Sequence, residues 1–310
     1  MMMPEISAPQ FWLAPLRGVT IRAFRETFAA PLRAAGFHGA FAPFIPANPG
    51  IRVNDRMLAD VMPFPSASNA DFPVVPQVIT KHPDPLRELL KAFKDRGFTR
   101  VDLNAGCPFP MIRRRGRGSG LFKTPDVLEE LLAVGCDELG AGRFSLKIRL
   151  GLERTDELEG LMPRINRYPL AALTVHARTA VQMYDGEPDM AAFARVAEMA
   201  AAPVLYNGDA RISDWADAAT PVGRLRAACP HLAGVMVGRA FIRDLGRRDD
   251  IETLLAHYID RSCAELCGDR PVLGRMKELI AYWIDQPRWR RLWPVVKLCR
   301  TVDELRSTLC

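Results

Sequence analysis

Eight short apolar runs, each followed by a longer stretch with helical spacing, recur along the first 240 residues of the chain. They read FWLAP (11–15), GAFAPFI (39–45), FPVVPQVI (72–79), RVDLNAG (100–106), RFSLKIRL (143–150), LAALTVHA (170–177), APVLYNGD (202–209) and LAGVMVGRA (232–240). The intervening segments carry the apolar spacing of amphipathic helices, clearest in 84–98 and 124–139. In the second of these, Thr124 is expected at the N-cap and Pro125 at the first helical position, where a missing N–H is harmless. Alternation of strand and helix predicts a parallel sheet. Eight repeats favour closure into a (β/α)8 TIM barrel, an architecture of roughly 250 residues. An open doubly wound sheet usually shows G-x-G-x-x-G after its first strand, and here that turn reads LAPLRGVT (13–20).

The pattern changes near residue 245. LGRRDD (245–250) reads as a charged linker, and IETLLAHYIDRSCAEL (251–266) and RMKELIAYWI (275–284) read as helices with no strand after them. The expected organisation is a barrel domain over 1–245 followed by a small all-helical domain over 250–310.

Of the 310 residues, 48% are hydrophobic and 25% charged, the balance of an ordinary globular protein. No apolar run approaches the roughly 18 residues that span a bilayer. MMMPEISAPQ at the N-terminus lacks the basic-then-apolar order of a secretory signal, so a cytoplasmic, monomeric protein with no membrane partner is expected. The seven cysteines are scattered through a long chain, which suits reduced thiols rather than a disulfide framework. Cys263 and Cys267 have no second pair beside them and read as one turn of a helix, so no metal site is expected. A net charge of +6 is too modest to identify a polyanionic partner, but its placement is informative. Arg113, Arg114, Arg115 and Arg117 follow Cys107 closely, and Arg288, Arg290, Arg291, Lys297 and Arg300 interleave with Trp289 and Trp293.

Barrel enzymes build their sites at the C-terminal ends of the strands. Lys147 lies between Leu146 and Ile148 in the fifth run, so its ammonium should point into the barrel mouth, where a buried charge needs a partner or ligand. Asn207-Gly208-Asp209 and Gly238-Arg239 close the seventh and eighth runs, the strand ends where barrels often bind phosphate through backbone N–H groups and a cation. Cys107, set between Gly106 and Pro108, should be presented by a sharp turn. A thiol with its ordinary pKa near ~8.5 stays protonated at neutral pH and suits a proton donor. A nucleophilic role would want a neighbouring base, which His176 could supply. Cys136 and Cys229 read instead as buried apolar cysteines.

Taken together, LAPLRGVT (13–20), PVVPQVI (73–79), VDLNAGCP (101–108), LKIRLG (146–151), VHART (175–179), YNGDA (206–210) and GVMVGRA (234–240) resemble the tRNA-dihydrouridine synthase family, in order and spacing. The resemblance implies FMN held by Pro15, Leu16, Arg17, Gln77, Lys147, Asn207, Gly208, Asp209, Gly238 and Arg239, with Asn104 and His176 also lining the flavin site. It further implies that Cys107 donates a proton to C5 of uracil while reduced flavin delivers hydride to C6, and that NADPH (or NADH) reloads the flavin. The partner it implies is tRNA, with the helical segment as RNA-binding domain. Arg113, Arg114, Arg115, Arg117, Arg178, Arg275 and Lys277 are the expected RNA contacts. Where many family members read Ser-Lys after GCP, this chain runs Phe109-Pro110 into the arginine-rich loop. Two rival readings share parts of this pattern: an FMN barrel reducing free pyrimidines, as dihydroorotate or dihydropyrimidine dehydrogenases do, and an RNA-binding homologue without catalysis. A basic, aromatic C-terminal segment speaks against the first, and retained Cys107, Lys147, His176 and Asn207 against the second.

Overall fold

Two prolines decide how the strands are cut. The computed structural model describes residues 8–62 and 72–309, and within them ten short strands form one sheet. They are β1 (Gln10–Leu13), β2 (Gly39–Phe41), β3 (Ile45–Pro46), β4 (Val74–Val75), β5 (Gln77–Ile79), β6 (Val101–Asn104), β7 (Phe144–Gly151), β8 (Leu173–Thr179), β9 (Val204–Asn207) and β10 (Leu232–Val237). The second predicted run is split into β2 and β3 around Pro43, and the third into β4 and β5 at Pro76, because proline has no N–H to give a ladder. Both halves of one run still pair with the halves of the other: β2 with β4, and β3 with β5. With β10 paired to β1 and every pairing parallel, the eight runs close into a ring. The fold is a (β/α)8 barrel followed by helices.

Strand residues alternate between two apolar environments. Leu13, Ala40, Val78, Leu103, Leu146 and Ile148 belong to a large cluster shared with the surrounding helices, while Trp12, Ala14, Phe41, Val75, Leu205 and Met236 form a smaller cluster of strand-region residues inside the ring. The helix Pro83–Asp95 buries Leu86, Leu89, Leu90 and Phe93 against the outside of the ring. Pro125–Leu139 does so with Leu128, Leu131, Leu132 and Leu139. Thr124 does stand at the N-cap of that helix, but its hydroxyl makes no capping hydrogen bond.

After the short helix Arg239–Leu245, four helices run at Ile251–Glu265, Asp269–Ile280, Pro287–Leu298 and Val302–Leu309. Cys263 falls inside the first of these, whereas Cys267 lies beyond its end, so the two cysteines do not share a helical turn. The 245–250 linker is pinned rather than free. Trp283 and Trp289, both 0% exposed, donate their indole N–H groups to the carbonyls of Ile242 and Gly246 at 2.6 and 2.8 Å. Tyr258 packs edge-on against Phe24 and Phe28, so apolar packing is continuous from the barrel helices into the C-terminal ones. Among the described residues, no helix is long and apolar enough to cross a membrane. The first seven residues of the N-terminal segment and Cys310 lie outside the described residues.

Candidate functional site

Strand register determines which polar side chains meet inside the ring. Gln77 is level with Asp102, and Asp102 with Ser145. Asn104 is level with Lys147, and Arg149 with His176, which in turn is level with Asn207. Because inward positions recur every second residue, Lys147 and Arg149 both face the interior, and Lys147 donates from Nζ to Asn207 Oδ1 at 2.8 Å. The inward ammonium expected from the sequence is therefore found, with an amide oxygen as its partner.

A cavity of about 630 Å³ opens at this end of the ring. Pro15, Leu16, Arg17, Asn104 and Cys107 line it, as do Lys147, His176, Asn207, Gly208, Gly238 and Arg239. Eleven of the expected site residues thus converge on one space. Gln77 and Asp209 do not line it. Gln77 is 0% exposed and lies behind Asn104, with one amide atom on Asp102 and the other on Asn104, each at 2.7 Å. Asp209 is half exposed and ties Arg178 to Arg239, at 2.5 and 2.8 Å. The space also takes in Arg149 and, unanticipated from the sequence, Tyr184, Phe44 and Arg243, with Glu278, Tyr282 and Asp285 from the C-terminal segment. The Tyr184 ring receives the guanidinium of Arg239 at 4.7 Å and that of Arg149 at 5.5 Å. The only sequence signal for Tyr184 was its place in the loop after β8.

Cys107 sits three residues past β6 in a turn held from every side. Asn104 Oδ1 accepts the N–H groups of Gly106 and Cys107 at 3.1 and 2.8 Å. Arg149 Nε donates to the Gly106 carbonyl at 2.9 Å, and Ser119 donates to the Cys107 carbonyl from both its backbone and its hydroxyl. The arginine loop reaches the back of the turn because Gly118 has φ +57° and no Cβ, which would otherwise sit 2.8 Å from that of Cys107. Only 7% of Cys107 is exposed, at the cavity wall.

Burial shapes the protonation states. It pushes the Cys107 thiol above its ordinary range, so the sulfur keeps its proton at neutral pH. Burial, with Arg149 alongside, lowers Lys147 to about 8. Burial and the positive charges of Arg149 and Lys147 hold His176 well below its ordinary value, leaving a neutral imidazole. The guanidinium of Arg178 lies 3.5 Å from His176 Nε2; since it can only donate, Nε2 is the unprotonated ring nitrogen. Buried Asp102 is raised to about 7.

The cavity's donor set suits a phosphorylated ligand. Five cations line it (Arg17, Lys147, Arg149, Arg239 and Arg243) against two carboxylates (Glu278 and Asp285). Gly208 and Gly238 face it without side chains, and a Cβ on Gly238 would sit 3.1 Å from that of Ala14, filling the crevice between β10 and the loop after β1. The residues present therefore fit an anionic, phosphorylated cofactor. Among the described residues no cluster of His, Cys, Asp or Glu could hold a metal ion.

The arginines expected at RNA divide into two groups. Arg114 and Arg115 are exposed at the end of the short helix Pro110–Arg114, Arg113 is half-buried, and Arg117 donates to Asn48 Oδ1 at 2.6 Å. Arg178 is 1% exposed and held by Asp209 and the Gly186 carbonyl, so it has no surface to offer a polyanion. Arg275 is held by Glu265 at 2.9 Å and Ser262 at 3.0 Å. Lys277 donates to the carbonyls of Lys297 and Cys299, tying down the end of helix Pro287–Leu298. Trp289 is buried and unable to stack on a base, while Trp293 is half-buried beneath Lys297.

Known proteins bear out this architecture. Probable tRNA-dihydrouridine synthases from Rhodobacter capsulatus and Staphylococcus aureus are 30% identical over 238 residues and 29% over 179. Those alignments cover 74% and 58% of this chain, and 67% and 52% of the relatives. The chain thus spans about half the length of the staphylococcal relative. Among solved structures, a variant of NCR from Zymomonas mobilis superposes with TM-score 0.53 at 15% identity, over 79% of this chain and 91% of that one. TcOYE with pHBA gives 0.51 at 12%, over 78% and 90%. These two likenesses concern the fold. The family model described as dihydrouridine synthase matches residues 12–281, and the chain belongs to the dihydrouridine synthase (Dus) family.

Proposed function

We propose that this protein is an FMN-dependent tRNA-dihydrouridine synthase, reducing the C5–C6 double bond of a uridine in tRNA with NADPH as the electron source. The observation that carries the reading is a buried thiol, fixed by a hydrogen-bonded turn, at the wall of a cationic cavity at the C-terminal end of a (β/α)8 ring. Bound flavin would supply hydride to C6 of the pyrimidine. The chain's own residues do the rest. Cys107 holds a proton on Sγ and delivers it to C5. Lys147 and Asn207 line the cavity where they would hold the flavin's polar ring edge, and Gly208, Gly238 and Arg239 would hold its phosphate. Arg149 keeps the Cys107 turn in place through the Gly106 carbonyl. Tyr184, Glu278 and Tyr282 wall the outer part of the cavity and shield the reacting ring from water.

RNA approaches over the mouth. The uridine must leave its stack to enter. Arg114 and Arg115 hold phosphates, and Phe109, 43% exposed at the cavity rim, offers a flat face to a neighbouring base. Helices from 251 to 309 act as the RNA-facing unit beyond the 245–250 boundary, with exposed Arg290 and Arg291 as its contacts rather than Arg275 or Lys277. The test is to incubate purified protein with FMN, NADPH and unmodified tRNA and measure dihydrouridine by nucleoside mass spectrometry. Product in tRNA supports the reading. Reduction of free uracil or orotate in its place selects the free-pyrimidine reductase, and RNA binding with no flavin uptake selects the non-catalytic homologue.

A further inference from the structure

Asp102 has no role in the chemistry above, yet it is a fully buried carboxyl in the barrel interior, and such a group is costly without a purpose. Its partners define a directed chain of hydrogen bonds. Ser145 Oγ meets Asp102 Oδ1 at 2.6 Å, and Gln77 Nε2 donates to Asp102 Oδ2 at 2.7 Å. Asn104 Nδ2 donates to Gln77 Oε1 at 2.7 Å, and Asn104 Oδ1 accepts the N–H of Cys107 at 2.8 Å.

Each amide has one donor end and one acceptor end, so fixing the first fixes the rest. A carboxylate accepts only, which turns the nitrogen of Gln77 towards Asp102 and its oxygen towards Asn104. Asn104 must then turn its nitrogen towards Gln77, leaving its oxygen for the turn that carries the thiol. Protonation of Asp102 does not reverse this order. A proton on Oδ1 can go to Ser145, whose hydroxyl has the Val101 carbonyl at 3.5 Å, while Oδ2 still accepts from Gln77. We propose that Asp102, acting through Gln77 and Asn104, is a positioning residue that fixes the turn holding the Cys107 thiol at the cavity wall. Its functional meaning rests on the reading of Cys107 as proton donor. Gln77 is the middle link of this chain, between Asp102 and Asn104.

The chain can be broken in one variant and kept with other atoms in another. Gln77→Met removes both ends of the middle link while nearly keeping its shape. Gln77→Glu combined with Asp102→Asn keeps the order: the new amide at position 102 donates to the carboxylate introduced at position 77 and accepts from Ser145, and Asn104 keeps its orientation. The readout is the rate at which iodoacetamide alkylates each cysteine of the purified protein, resolved by peptide mass spectrometry, with exposed Cys263 and Cys267 as references. Gln77→Met is expected to raise the Cys107 rate about tenfold, the effect of one lost buried hydrogen bond on local opening. Buried Cys136, Cys229 and Cys299 should not change, and the Gln77→Glu, Asp102→Asn double variant should leave Cys107 at the wild-type rate. Asp102→Ala should behave as Gln77→Met; if it does not fold, Gln77→Met and the double variant decide. Three results overturn the proposal: an unchanged Cys107 rate in Gln77→Met, a double variant as fast as Gln77→Met, or a parallel rise at all four buried cysteines, which marks general loosening. The assay uses neither flavin nor RNA, so failure of the functional reading, seen as product formation without Cys107, is separately visible.

Discussion

Lys147 and Cys107 face the same cavity under opposite demands: the ammonium is disfavoured by burial, while the thiol is kept protonated by it. A cation lowered to about 8 makes anion binding pH-dependent just above neutrality. FMN affinity should fall above that pH, as the site loses one of its five positive charges before ligand arrives. Lys147→Met should bind FMN more weakly, by about tenfold for one lost charge-assisted hydrogen bond, and without the step near 8. Flavin-fluorescence titrations across pH check this; an identical step in the variant assigns it elsewhere. Lys147 was legible because a lysine between Leu146 and Ile148 in a buried strand has few places to go. Arg275 and Lys277 were not legible as structural residues. Nothing local in the sequence shows that Glu265 or the carbonyls of Lys297 and Cys299 lie within reach.

At the scale of elements, the site depends on β7 keeping its height in the ring, since that strand carries Ser145, Lys147 and Arg149. Helix Pro125–Leu139 lies against the start of the strand, and Gly135 is the point of closest approach: a Cβ there would meet the Phe144 ring at 2.1 Å. Gly135→Ala should cost about 1–3 kcal/mol through overpacking. Gly160→Ala, on an exposed helical position with nothing within 4 Å, should be neutral or stabilising by about 0.5–1 kcal/mol. Thermal melts of the two variants test the contrast, and equal shifts would contradict the packing account. The eight strand runs were readable because buried parallel strands are continuous apolar segments; the breaks at Pro43 and Pro76 were not read, since both prolines sit inside otherwise unbroken apolar runs. The role of the tryptophans was not readable either, since a basic, aromatic helix does not reveal which face turns inward. Trp289 turns in, onto Gly246.

For the whole molecule, the cavity has two contributors: the ring supplies its floor, and residues 278–285 supply part of its wall. That arrangement was hidden in the sequence because it joins segments far apart along the chain, from Pro15 to Asp285. The exposed arginines Arg114 and Arg115, on the segment that follows the Cys107 turn, should dominate the salt dependence of RNA binding. Replacing Arg113, Arg114 and Arg115 together by Ala should weaken tRNA binding and make the slope of log K against log salt shallower by about two to three units. Filter binding at graded salt measures it, and an unaltered slope would show that these side chains face solvent in the complex.

The decisive measurement is dihydrouridine formed in tRNA by Cys107→Ala beside wild type, with flavin content and thermal melting recorded on the same samples. The account predicts a folded protein that retains its flavin and makes little or no product, since only the proton on Sγ has been removed. Wild-type product from that variant would contradict it.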